Sequence, residues 1–212
     1  GYGQGFRAPS LNELFFPNFG NPNLAAEKSE TFEIGADQVL FDDKINWSGT
    51  LFRTNYEDLI QIVRISPTAS EPRNVGQSRV DGVELELELK PMKPWTLTGS
   101  YTHLEAKERP SGEELLRLPK NTIGFSVGLE PDKKWEARLE GLLVSSREEQ
   151  VATNRRMKTK GYLKLDLQGQ YRFAPWIKSY FRIENLTNRK YAEVLGFPAN
   201  DFTASVGVTI ER

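Results

Sequence analysis

The segment VELELELK, residues 83–90, alternates apolar and charged side chains without a break. Val83, Leu85, Leu87 and Leu89 fall on one side of an extended chain, and Glu84, Glu86, Glu88 and Lys90 on the other. A period of two is that of a strand with one apolar and one polar face, whereas a helix would mix the two kinds around its circumference. The pattern recurs in WTLTGSY, where Trp95, Leu97 and Tyr101 oppose Thr96, Thr98 and Ser100. It recurs in TIGFSVGLE, in LKLDLQGQYRF and in FTASVGVTI. No long stretch keeps a spacing of 3.6, so the sequence predicts an all-β chain with almost no helix.

About ten strands are expected, near 1–7, 29–41, 45–56, 75–90, 95–105, 118–130, 135–147, 160–173, 177–186 and 201–211. Short turns (41–44, 90–94, 130–134, 173–176) alternate with long connections (8–28, 57–74, 106–117, 148–159, 187–200). That rhythm predicts an antiparallel meander with all its long loops at one end. Two settings fit the alternation. A soluble barrel turns its apolar side inward, and an outer-membrane barrel turns it toward lipid. Three features favour lipid. Many strands reach the length that crosses a bilayer. Phe41, Trp47, Trp95, Trp135, Phe173 and Trp176 gather beside the short turns, as an interfacial girdle does. Short turns at one rim and long loops at the other match the two sides of such a barrel. In that setting Glu84, Glu86, Glu88, Glu136, Arg138, Glu140, Lys164, Asp166, Arg182 and Glu184 line a wet lumen.

Composition narrows the function. The 28 basic and 29 acidic residues leave a net charge of -1, without the basic excess that nucleic acid requires. There is no cysteine for a disulfide, a thiolate site or a thiol nucleophile. The single histidine, His103, shares the apolar face with Trp95, Leu97 and Tyr101, and no Ser/His/Asp grouping accompanies it. The chain reads as non-enzymatic, with no catalytic residue, metal or cofactor. Its mean hydropathy of -0.54 does not oppose a membrane barrel, because alternation averages each strand toward zero.

Three segments carry a resemblance. GFRAPSLNELF with GNPNLAAEKSETFEIGA, NVGQSRVDGVELELE (74–88) and IENLTNRKYAE (183–193) occur in the order found in TonB-dependent outer-membrane receptors. Among subfamilies the spacing is most similar to the vitamin B12 (cobalamin) receptors, with siderophore receptors next. The resemblance implies that this chain supplies the last ten strands of a 22-stranded transmembrane barrel. The plug, the TonB box and the first strands are then absent, and the start at GYGQGF suggests a piece of a longer or processed chain. The ending Ile210-Glu211-Arg212 departs from the aromatic terminus common in the family, which bears on recognition by the barrel-assembly machinery. A stand-alone ten-stranded pore or adhesin is the alternative, and self-association of ten strands would satisfy its open edges.

The resemblance also implies an extracellular ligand site, a role in active uptake of a scarce nutrient, and contact with outer-membrane lipid, lipopolysaccharide and, through the plug, TonB. Ligand candidates are Phe15, Phe16, Phe19, Arg155, Arg156, Tyr191 and Phe197. Pro9, Pro17 and Pro22 keep the first loop from extending a hairpin, and its phenylalanines offer rigid apolar surface to a ligand or to neighbouring loops. The arginines suit an anionic ligand or lipopolysaccharide phosphates, or a solvated loop tip. Phe6, Arg7, Pro9, Asn74, Gly76, Gly82, Glu84, Asn185, Leu186 and Tyr191 are expected to hold structure.

Overall fold

The computed structural model describes residues 1–109, 111–152 and 155–210. Ten strands form one antiparallel sheet: β1 (Tyr2–Arg7), β2 (Glu27–Leu40), β3 (Ile45–Glu57), β6 (Gln77–Leu89), β7 (Trp95–Arg109), β8 (Asn121–Leu129), β9 (Trp135–Val144), β12 (Tyr162–Ala174), β13 (Ile177–Glu184) and β16 (Thr203–Ile210). Their order in the sheet follows the chain, so each pairs with the next and β1 and β16 form the edges.

Register turns the alternation into two continuous faces. One row of partners runs Leu40, Ile45, Leu89, Leu97, Val127, Leu139, Leu167, Ile183. The row one residue along runs Asn46, Glu88, Thr98, Ser126, Glu140, Asp166 on the opposite side. All ten charged residues expected in the lumen share that polar face, which carries Thr98–Ser126, Gln168–Glu140 and Gln170–Glu136 hydrogen bonds. Among the described residues, the buried hydrophobic set is only Ala106, Leu115, Val144 and Tyr162. Leu85, Leu87, Trp95, Trp135 and Val206 remain exposed on the apolar face. A soluble sheet would bury that face; here it needs an apolar solvent. At the short-turn rim Trp135 packs on its cross-strand partner Tyr171 at 4.6 Å, and Tyr171 meets Phe173 edge-on at 4.7 Å.

The connections depart from expectation. Of the stretches expected to be loops, 57–74 holds the hairpin of β4 (Ile60–Arg64) and β5 (Ser70–Asn74). Likewise 148–159 largely forms β10 (Arg147–Ala152) with β11 (Arg155–Thr159), and 187–200 holds the short pair β14 (Ala192–Val194) and β15 (Phe197–Pro198). β7 runs on to Arg109, past the expected end at 105. The first loop contains one helical turn, α1 (Leu11–Phe15).

Candidate functional site: the interlocked long-loop end

The first loop is pinned at both ends. Ser10 caps α1 in a reciprocal box: the Glu13 N–H donates to Ser10 Oγ at 3.3 Å, and the Ser10 N–H donates to Glu13 Oε2 at 2.7 Å. The signal S-x-x-E was present in SLNE and could have revealed the helix. Arg7, at the end of β1, donates to Glu13 at 3.0 Å and to Glu27 at 2.6 Å. Glu27 is buried, and its other oxygen accepts the Ile60 N–H at 2.6 Å, so one carboxylate joins β1, β2 and the β4–β5 hairpin. Asn74 closes the other side. Its Oδ1 accepts from Ala25 N–H at 2.9 Å, its Nδ2 donates to Ala25 O, and Asn21 Nδ2 donates to Pro72 O at 3.0 Å.

The lattice continues through the other loops. Arg64 N–H donates to Gln150 Oε1 at 3.4 Å, tying β4 to β10. Arg117 Nε donates to the buried Glu149 at 3.0 Å. Arg147 donates to the carbonyls of Ala192 and Glu193. Nothing in the sequence set Glu27, Arg147 or Glu149 apart, because their partners lie 33, 46 and 32 positions away.

The predicted ligand residues do not converge on one point. Phe15 and Phe16 are exposed on α1 and its cap, and Phe19 is half-buried against Phe16 with ring centres 6.4 Å apart. Phe197 is 73% exposed on β15. Arg155 and Arg156 are the first two residues of strand β11, and Arg155 pairs with Ala152 at the end of the β10–β11 hairpin. Arg156 is committed to Glu113 and the Glu114 carbonyl, while Arg155 stays exposed. Tyr191 stacks on Tyr162 at 4.0 Å and 22°, which makes it a packing residue.

The motif residues have physical reasons. Asn185 is buried with φ of 52°, its amide spanning Arg189 and Asn200. Leu186 N–H donates to Leu165 O at 2.7 Å. Gly76 has φ of 75°, a conformation that side-chain-bearing residues resist. Gly82 lies under the Phe52 ring, where a Cβ would collide. Glu84 pairs across to Thr50 and Thr102 on the polar face. Pro9 precedes the Ser10 cap, and Phe6 points from the edge strand fully exposed.

Arg7 holds the Glu13 carboxyl below the usual carboxylate range, aided by the Ser10 bonds. Lys120 does the same to Glu114. A depressed carboxyl pKa contributes stability that is complete above the unfolded value of about 4.5 and is lost as pH falls through the folded value. Proteolytic nicking of residues 8–26 should therefore stay slow at neutral pH and accelerate below about pH 4.5. Arg7→Ala should bring fast nicking at all pH values.

An antiparallel sheet with bilayer-length strands, an exposed apolar face and loops knitted together at one end is the wall of an outer-membrane β-barrel. A family profile described as "TonB dependent receptor-like, beta-barrel" matches residues 1–187, and the chain belongs to that family, whose place is the Gram-negative outer membrane. It is 26% identical over 202 residues to the vitamin B12 transporter BtuB of Photobacterium profundum, covering 89% of this chain and 31% of that protein. It is 28% identical over 229 residues to the heme/hemopexin utilization protein C of Haemophilus influenzae strain 86-028NP, covering 90% and 32%. Among solved structures, the copper transporter OprC superposes with a TM-score of 0.79 at 20% identity, over 99% of this chain and 36% of its own, which concerns the fold. The chain thus spans about a third of the length of these relatives.

Proposed function

We propose that this chain forms barrel wall and extracellular loops of a receptor for TonB-dependent uptake of a scarce nutrient, cobalamin or a ferric siderophore. The match to the receptor family along residues 1–187 carries the reading. The interlocked loops support it, because a site built on a hydrogen-bonded lattice is ordered before ligand arrives. In this reading the polar face lines the interior, the plug meets it there, and TonB acts through the plug. The assembly machinery inserts the strands, and lipid and lipopolysaccharide cover the apolar face.

The ligand would rest on the exposed rings of Phe15 and Phe16. Binding is noncovalent and needs no catalytic group. Deleting the gene should abolish energy-dependent accumulation of labelled cobalamin or of a ferric siderophore in whole cells. Unchanged uptake of both would refute this choice of nutrient. With the ligand known, Phe15→Ala combined with Phe16→Ala should weaken binding at least tenfold, about 1.4 kcal/mol by equilibrium titration. Undiminished affinity would move the site elsewhere.

A further inference from the structure

The hairpin of β10 and β11 stands apart from the barrel wall. Its strands form a two-stranded sheet of their own. The register of the wall, Val144 with Tyr162, carries through to Arg147 with Thr159. Between those pairs, residues 145–146 and 160–161 lie outside any strand. Ser145 is still held by β8, its N–H donating to Asn121 O at 2.9 Å, so the break falls on Ser146, Lys160 and Gly161. A ladder interrupted at one level on both strands is a hinge, since the hairpin beyond it can swing without breaking a cross-strand bond.

Beyond the hinge the hairpin is tied to three other long connections. Arg117 N–H donates to Glu148 O at 2.8 Å, and Arg117 Nε to Glu149 at 3.0 Å. Arg156 adds bonds to Glu113 and to the Glu114 carbonyl. Arg64 N–H donates to Gln150 Oε1 at 3.4 Å. Arg147 donates to the carbonyls of Ala192, at 3.1 Å, and Glu193. All of these ties are polar. The buried hydrophobic residues among those described, Ala106, Leu115, Val144 and Tyr162, lie outside the hairpin, and Met157 within it is exposed. The closed position also carries a cost. Arg147, Glu149 and Thr159 are buried, yet among the described residues Arg147 Nε, Glu149 Oε1 and Thr159 Oγ1 have no hydrogen-bond partner. Arg117 is held with φ of 65°, in the left-handed region. Opening would hydrate the three buried atoms, so desolvation opposes the closed state and polar bonds alone hold it.

We propose that the β10–β11 hairpin is a hinged clasp that joins the connections 57–74, 106–117 and 187–200 into one opening unit. Closed, it ties all three to β9 and β12 through the hinge. Swung open, it releases all three together. Breaking any one tie shifts the hairpin toward the open position and so loosens its ties to the other two connections. One equilibrium then governs this part of the loop end, where three independent loops would each follow their own. The clasp works whichever nutrient is carried, so its failure would leave the uptake reading standing.

The full-length receptor in mild detergent would be followed by hydrogen–deuterium exchange at single-amide resolution. The Arg64 and Arg117 amides report directly, because both bond to the hairpin. Arg147→Gln removes the tie to Ala192 and Glu193. It should speed exchange at Arg64 and Arg117 by about fivefold or more, although Arg147 bonds to neither. Lys190→Gln breaks the exposed Lys190–Asp201 pair in the same connection, away from the hairpin, and should leave both amides unchanged. Unchanged rates in Arg147→Gln, or equal acceleration by Lys190→Gln, overturn the clasp. Should the Arg147 variant not fold, wild type decides. Arg64, Arg117 and the cross-strand amides of β10 and β11 should share one opening constant to within about tenfold, as a single cooperative unit does. A wider spread overturns the proposal.

Discussion

Arginine in place of Leu85 is expected to destabilise the membrane-embedded protein by about 2–4 kcal/mol, the cost of a cation near the bilayer midplane on a lipid-facing strand position. Leu85 lies between Val83 and Leu87 on the apolar face, in a row with Tyr101 and Ile123. It is 46% exposed, so lipid rather than protein must solvate whatever replaces it. Glu86, one residue away, points to the polar face beside Ser48 and Ser100. Glu86→Arg should therefore move stability by no more than about 0.5 kcal/mol, as an exposed substitution does. Urea unfolding from lipid vesicles would measure both. The contrast matters more than either value, because the substitutions are adjacent and introduce the same group. A costly Glu86→Arg beside a tolerated Leu85→Arg would mean that the apolar side is the interior, as in a soluble barrel.

The sheet was legible in the sequence because its information is local. Each strand states its two faces through a two-residue period, and a chain-order meander needs no long-range pairing to be guessed. VELELELK is nearly sufficient by itself to place β6. The loop end was less legible. The hairpins β4–β5 and β10–β11 were hidden because IQIVR and REEQVA are short and lack a full alternation of apolar and polar residues. Arg155 and Arg156 open β11, and what the sequence did not show is the commitment of Arg156 to Glu113 and the Glu114 carbonyl. The role of Arg7 was visible only as a motif position. Its chemistry lies in Glu13 and Glu27, brought together when β1 pairs with β2. Glu149 was not visible at all, since a glutamate in an acidic stretch reads as solvated until Arg117 folds against it. Charge pairing between loops is set by the register of strands far apart in sequence, and a single chain carries no local trace of it.

Removing the Asn185 side chain should be among the most damaging changes outside the lipid face. Asn185 is 1% exposed, and its amide makes three hydrogen bonds. Nδ2 donates to Arg189 O at 3.0 Å and to Asn200 O at 3.1 Å, and Oδ1 accepts the Arg189 N–H at 2.8 Å. Its own N–H donates to Asp166 Oδ1 at 2.8 Å, which anchors the loop to β12. At about 1 kcal/mol net for each side-chain bond, Asn185→Ala should cost about 3 kcal/mol. The backbone adds a further part. With φ of 52°, alanine meets the left-handed penalty of about 1 kcal/mol that asparagine tolerates better. Asn185→Gly loses the same bonds without that penalty, so it should be about 1 kcal/mol less harmful than alanine. Asn185→Asp keeps the acceptor but turns both donations toward carbonyls into repulsion. It should be no better than alanine. Urea midpoints in vesicles for the three variants give the order Gly above Ala, with Asp at or below Ala. A wild-type midpoint for alanine would show that the loop from 185 to 202 is held by other contacts, such as the Tyr162–Tyr191 stack and the Arg147 bonds to Ala192 and Glu193.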